Sequence, residues 1–195
     1  DNLTNAEHAL IVEGEDDKIA LEKLLPSMST KIKRAIQNGT FIIDYIGGAG
    51  NLPYKLSFYR NLQCKYHVLL DNDDAGRHAG SEAERQGLLD VRNVTCNGSP
   101  NAEIEDCYNK AVYENAILNE FGVNINVAEF RGNKKWSDRI AGCFLSQGKL
   151  WNDAMEKRVK LVVANEISEE VDTVLNEHKR SSMDALVTSL ETLLS

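Results

Sequence analysis

Three groups of acids are the residues best placed to do chemistry in this chain: Glu13-Gly14-Glu15-Asp16-Asp17, Asp71-Asn72-Asp73-Asp74 and Glu103-Ile104-Glu105-Asp106. Carboxylates brought close together repel, which raises some of their pKa values or opens the structure unless a cation sits among them. Oxygen donors without His or Cys select hard ions, so a site shared by these groups would take Mg²⁺ or Mn²⁺. The spacing adds detail. Glu13 and Asp17 are one helical turn apart, so a helix starting at the Gly14 turn lets Asp17 look back towards Glu13. Asp71 and Asp73 flank Asn72 and can grip one ion or bridge two, while Gly76 lets backbone pass close by without a side chain. Each group alone has an ordinary explanation, because Asp and Glu are common caps and first-turn residues of helices. Three in succession, each after a strand, are harder to explain that way.

The elements around these groups decide whether they can meet. Ala9-Leu10-Ile11-Val12, Phe41-Ile42-Ile43-Asp44-Tyr45-Ile46 and Tyr66-His67-Val68-Leu69-Leu70 are short, mainly apolar runs ended by a charge or a glycine, as strands buried on both faces should be. Val91-Arg92-Asn93-Val94-Thr95 is a weaker fourth. Helices are expected between them. One has Asp16 and Asp17 in its first turn and Ile19, Leu21, Leu24 and Leu25 as its stripe, stopping before Pro26. A second is capped by Asn51, has Pro53 in its first turn and buries Leu52, Leu56 and Tyr59. A polar third ends at Gly87. Strands alternating with helices predict an α/β fold: a mostly parallel sheet, right-handed crossovers and helices on both faces. The carboxyl ends of such strands share one edge, where function sits, so the three acidic groups should converge. Beyond Pro100 the sequence predicts a helix over 104–120, a strand over Val123–Phe130 and a helical pattern from Trp136 to Ser195, broken at Gly142 and Gly148. Ser168 reads as the cap of a last amphipathic helix carrying Val171, Val174, Leu175, Met183, Leu186 and Leu190. The organisation is therefore a catalytic α/β domain over 1–130 and a helical appendage over 131–195.

The 195 residues, 42% of them hydrophobic, suit one domain with such an appendage. The best apolar run, His67–Leu70, is flanked at once by Lys65 and Asp71, which excludes a membrane span and a signal peptide. Cys64, Cys96, Cys107 and Cys143 form no CxxC pair, so neither zinc nor a disulfide framework is expected and the compartment reads as the reducing cytoplasm. The first residue is Asp1 rather than Met, so the chain reads as a piece of a longer protein. A net charge of −8, from 30 acids and 22 bases, argues at first sight against nucleic acid as a partner. Ten of those acids lie in the three groups, however, and removing them leaves 20 acids against 22 bases, a balance of +2. His8, His67, His78 and His178 are isolated and read as structural or solvated. None of the tyrosines has a base beside it that would make it a nucleophile. Gly47-Gly48-Ala49-Gly50 falls short of a Walker loop and reads as a place where backbone approaches substrate or metal. Lys31, Lys33, Arg34, Arg77, Arg131, Lys134, Lys135, Arg139, Lys157, Arg158 and Lys160 read singly as surface charges, and as a phosphate track if several share the acidic face.

A strand ending in Glu-Gly before a helix, with a later strand ending in Asp-x-Asp-x-x-Gly at Asp71, Asp73 and Gly76, resembles the Toprim domain of topoisomerases, bacterial primases, recombination-mediator proteins and OLD nucleases. With Ile104-Glu105-Asp106 opening a helix, Gly47-Gly48 after the second strand and a helical tail, the chain looks most like the carboxyl-terminal Toprim and helical region of the OLD (overcoming lysogenization defect) family. Gabija-type defence nucleases are similar. The resemblance implies a DNA endonuclease or exonuclease that hydrolyses phosphodiesters with two Mg²⁺ or Mn²⁺ ions, acting in phage defence or DNA repair. It also implies an ABC-type ATPase domain upstream, the natural place for a homodimer to form. Glu13 and Asp17 match the first acidic motif, Asp71 and Asp73 the second and Glu105 the third, with Glu103 standing where some relatives have Ser; these six are the expected metal ligands. The family's downstream lysine is matched by Lys134 or Lys135, and Lys135 is preferred as the catalytic residue beside Glu13 and Asp71. Arg77, Arg131, Lys134 and Lys135 are the expected nucleic-acid contacts. The rival readings are a catalytically silent Toprim module that binds nucleic acid or a partner, and another Toprim enzyme of primase or topoisomerase type. A phosphoacceptor domain wants a lone Asp at the third strand, and a haloacid-dehalogenase-like phosphatase wants its Asp pair at the first, where this chain has Glu13.

Overall fold

Four strands, β1 (His8–Val12), β2 (Phe41–Tyr45), β3 (Lys65–Leu70) and β4 (Val94–Cys96), pair in the order β2-β1-β3-β4, each pair parallel. The computed structural model describes residues 6–195, so the first five residues of the expected 1–130 unit lie outside the described ones. In β1 every residue from Ala9 to Val12 is buried, which requires cover on both faces. Strand alternation sorts the side chains. Leu10, Val12, Phe41, Ile43 and Leu69 enter one apolar layer, and Ala9, Ile11, Val68 and Leu70 the other.

The second layer is closed by α3 (Leu52–Asn61), through Leu52, Leu56 and Tyr59, and by α4 (Asp74–Arg85), through Ala79 and Ala83. The first layer is larger. It takes α1 (Glu15–Met28), α2 (Thr30–Gln37), α5 (Lys110–Phe121), α6 (Trp136–Ser146), α7 (Asp153–Glu166), α8 (Val171–Val174) and α9 (Ser181–Leu193). The carboxyl-terminal helices share that core with the sheet: Val159, Val163, Leu186 and Leu190 belong to the same cluster as Leu10 and Leu24. α7 packs on α1 and α5, and α9 on β3 and β4.

Several elements differ from the sequence reading. α1 runs through Pro26 to Met28, because a proline in the last turn removes only one backbone donor. α2 was not anticipated. Asn51 is the N-cap residue of α3, as expected, but its side chain makes no capping hydrogen bond, and it also ends a 3₁₀ turn (Ala49–Asn51). The helix over 104–120 is two pieces: a 3₁₀ turn (Ile104–Cys107), an extended Tyr108, then α5. Val123–Phe130 forms no strand; Val123 and Ile125 are buried against helices, Asn124 Oδ1 accepts from Asn126 N–H, and Ala128–Phe130 is a 3₁₀ turn. Gly142 sits inside α6, whereas Gly148, at φ 71°, lies in the turn just beyond it. The last helix is split as well. Leu175 bridges Tyr108, and the side-chain amide of Asn109 donates to the carbonyls of Thr173 at 2.7 Å and Leu175 at 3.1 Å, so α8 is closed off before α9 begins. Ser168 Oγ accepts only from Glu170 N–H in the turn before α8.

Candidate functional site

β1 and β3 are neighbours, so the residues that follow them meet. Glu13 Oε1 accepts a hydrogen bond from Asp71 N–H at 3.0 Å. A Cβ on Gly76 would overlap the Asp71 carbonyl oxygen and come within 3.0 Å of Glu13 Oε1, so only glycine lets α4 begin this close to the strand ends. Asp73 is the N-cap of α4: Oδ1 accepts from Gly76 N–H at 2.7 Å, and Oδ2 pairs with Lys135 Nζ at 2.8 Å. Asp17, in the first turn of α1, accepts from Gly14 N–H at 2.8 Å. From the next strand over, Asn97 donates its side-chain amide to Asp71 Oδ1 at 2.9 Å, and Ile104 N–H reaches the same oxygen at 3.2 Å. The third acidic group is thereby drawn onto the second. Glu103 Oε2 accepts from Ser137 N–H at 2.7 Å. Lys160 Nζ, entering from α7, lies 3.0 Å from Glu103 Oε1 and 3.5 Å from Glu105 Oε1. Glu105 Oε2 is buried and has no partner.

A family profile described as overcoming lysogenization defect protein-like, TOPRIM domain, matches residues 6–73, a stretch that contains Glu13, Asp17, Asp71 and Asp73. Over these residues the chain is similar to OLD-like TOPRIM domains. No curated relative matches the chain. Solved structures similar to it include two C-terminal regions of OLD proteins. One is the C-terminal region of the Burkholderia pseudomallei OLD protein, at 15% identity, 97% of this chain, 99% of that chain and a TM-score of 0.48. The other is the C-terminal region of the Xanthomonas campestris pv. campestris OLD protein, at 13% identity, 99% and 98% coverage and a TM-score of 0.49.

Burial and mutual repulsion shape the charges of this site. Burial and then the Asp71 charge push Glu13 up to about 7. Burial raises Asp71 to about 6, against the pull of Lys160 and with the Glu103 charge adding to the rise. Asp17 and Glu105, both buried, are pushed well above the carboxylate range, chiefly by burial. Two acids go the other way. For Glu103 burial is outweighed by the Lys160 charge and the Ser137 N–H, and for Asp73 by the Gly76 N–H and Lys135, so both are held below their ordinary values. Lys160 is held well above its usual value, because Glu105, Glu103, Asp71 and Asp17 together outweigh the burial that would strip its proton.

Among the described residues no three His, Cys, Asp or Glu side chains are yet gathered closely enough to hold an ion, since Glu13, Asp17 and Glu103 are each turned onto a backbone N–H. The donor set nevertheless fits a hard divalent cation. It is all carboxylate, it has one unpartnered buried oxygen at Glu105, and the cationic side chains that pair with its acids are Lys135, on Asp73, and Lys160, on Glu103 and Glu105.

The other expected residues fall at different distances from this centre. Asp106 turns away and pairs with the buried Arg139, whose guanidinium also lies 4.9 Å from the Phe130 ring centroid. Arg77 pairs with Asp74 at 2.6 Å and donates to the Asn72 carbonyl, exposed beside the second motif. Arg131 and Lys134 are exposed in the loop before α6. The residue that sequence reasoning missed is Lys160, taken there for a surface base. Its helix register was the available signal, because Lys160 precedes Val163 and Ala164 by three and four residues, on the face that α7 buries. Asn97 carried no signal at all.

Proposed function

We propose that this chain is the DNA-cutting part of a Mg²⁺- or Mn²⁺-dependent nuclease. The observation that supports it is the gathering of Glu13, Asp17, Asp71, Glu103 and Glu105 around the buried ammonium of Lys160, with Asp73 and Lys135 beside them. Near neutral pH these buried, mutually repelling acids cost folding free energy, whereas a hard cation would remove the repulsion. Glu13, Asp17, Asp71, Asp73, Glu103 and Glu105 would hold two such ions. When bound, the ions supply an activated water and offset charge on the phosphate and on the leaving 3′ oxygen.

The chain's own groups do the rest. Asn97 and the Ile104 amide orient the Asp71 carboxylate. Lys160 keeps Glu103 ionised. Lys135, its side chain 33% exposed on Asp73, is the amine an incoming phosphate can reach, and it would offset charge on the non-bridging oxygens. Arg77, Arg131 and Lys134 would contact the DNA backbone. In this reading residues 1–130 are the catalytic unit and 131–195 the helical unit that supplies Lys135 and Lys160. The whole protein would then have an ATPase domain ahead of this region, which is where it would form a homodimer, and would act in the cytoplasm in phage defence or DNA repair. Among the described residues no helix is long and apolar enough to cross a membrane.

The test is incubation with plasmid DNA in Mg²⁺, Mn²⁺, Ca²⁺ or EDTA, beside Glu13→Ala and Asp71→Ala. Cleavage that persists in EDTA or in both variants sinks the metal site. A silent Toprim module is the second reading, favoured by the way Lys135 and Lys160 already pair with Asp73, Glu103 and Glu105. It predicts no cleavage and no Mn²⁺ binding in the same samples.

A further inference from the structure

On the β4 side of the acid cluster a cavity of about 430 Å³ opens between the loop after β4, the loop ahead of α6 and the start of α9. That volume lies within the roughly 300–1,000 Å³ of small-molecule sites. Lys134, His178, Lys179 and Ser181 line it, together with Asn101. Its carboxylate, Asp106, is already satisfied: one oxygen takes the buried guanidinium of Arg139 and, at 3.5 Å, Lys179, and the other accepts from Glu103 N–H at 3.2 Å. With Asp106 offset by Arg139, the two lysines leave the cavity cationic and rich in hydrogen-bond donors. Cys96, Pro100 and Ala102 give the same cavity an apolar portion. A ligand that is part phosphate and part apolar ring fits such a lining.

The cavity is tied to the catalytic edge. Asn97, between the lining residues Cys96 and Gly98, donates to Asp71 Oδ1 at 2.9 Å. Asn101 N–H donates to the Asn72 carbonyl at 2.8 Å, and Asn72 N–H to the Ala102 carbonyl at 3.0 Å. We propose that this cavity holds one unpaired nucleotide of a DNA strand, gripped by its phosphate, beside the position at which the acid cluster acts. The choice of a nucleotide among phosphate-bearing ligands rests on the nuclease reading; the cationic cavity does not.

The test is calorimetric titration of the full chain in EDTA with thymidine 5′-monophosphate, inorganic phosphate, thymidine and a short 5′-phosphorylated oligothymidylate. The monophosphate should bind more tightly than phosphate or thymidine, and the oligonucleotide at least as tightly as the monophosphate. Lys179→Glu, at a side chain 53% exposed where the fold accommodates the change, should weaken both about tenfold or more. Lys179→Arg should retain them, and Ser181→Trp, which fills the opening without changing a charge, should weaken them as well. Equal binding of phosphate and monophosphate overturns the nucleotide assignment, and binding of the monophosphate without the oligonucleotide overturns its place in a strand. Unchanged binding in Lys179→Glu and Ser181→Trp overturns the site. Plasmid cleavage in Mg²⁺ is read separately: its absence with oligonucleotide binding intact removes the nuclease reading and upholds the cavity.

Discussion

Replacing Lys160 by Met removes one charge and little volume from the centre of the acid cluster. At an effective dielectric of about 20, charges 3.0 and 3.5 Å apart, as Lys160 stands from Glu103 and Glu105, attract by about 5 kcal/mol each. Much of that is offset by the cost of taking three charges out of water. The variant keeps the two carboxylates, whose side chains are 3% exposed, and loses their partner, so the net loss should be the larger figure for a broken buried pair, about 3–5 kcal/mol. In a chain of this length 1 kcal/mol moves Tm by about 2–4 °C, so Lys160→Met should melt roughly 10 °C below the wild type at pH 8 in EDTA. Because the defect is unbalanced negative charge, protons and divalent cations should repair it. Circular-dichroism melts at pH 8 and pH 5, with and without MgCl₂, should show the gap narrowing at pH 5 and in Mg²⁺. Adding Glu103→Gln to Lys160→Met should recover part of the loss, since one of the stranded charges is gone. A fall of less than about 2 °C at pH 8, or a fall independent of both pH and Mg²⁺, refutes the reasoning.

Gly76→Ala removes no carboxylate, yet its Cβ would overlap the Asp71 carbonyl and crowd Glu13, so a loss of about 3 kcal/mol and weaker Mn²⁺ binding are expected, read by melting and by electron paramagnetic resonance. Wild-type melting and Mn²⁺ affinity together would show that α4 can shift without cost. Glu13 at about 7 and Asp71 at about 6 stand above the ordinary carboxyl value of about 4, so the folded chain holds protons that the unfolded chain releases. The stability they contribute is whole below about pH 4 and is lost as pH rises through 6 to 7, so Tm in EDTA should fall between pH 5 and pH 8. Mn²⁺ affinity should rise over the same interval, because the ion competes with those protons; an affinity flat with pH contradicts both values. Arg139→Ala leaves the largely buried Asp106 without its guanidinium and uncovers the Phe130 ring, for a loss of about 3 kcal/mol read by thermal melting, whereas Arg92→Ala, at an exposed pair with Asp90, should leave Tm unchanged.

The strands and the acids that follow them are legible because they depend on neighbours in the chain. Apolar runs such as Ala9–Val12 need cover on both faces, and Asp17 and Asp73 bond within their own helical turns, so their placement follows from local spacing. Elements governed by distant partners were misread. The 104–120 helix breaks at Tyr108 because Leu175 and Asn176 pair with the backbone there, and Val123–Phe130 has helices beside it rather than a strand. The site divides in the same way. Sequence alone put acids after β1 and β3 and reserved Gly76 for a close approach, because carboxylate chemistry and glycine's missing side chain are properties of single residues. Tertiary structure decided the strand order that joins Glu13 to Asp71, the turning of Asp106 onto Arg139, the hold of Asn97 on Asp71 and the burial of Lys160 between Glu103 and Glu105. Those are long-range pairings, and a lysine on α7 becomes part of the acid cluster only when the helix packs against α1 and brings its ammonium to charges more than fifty residues away.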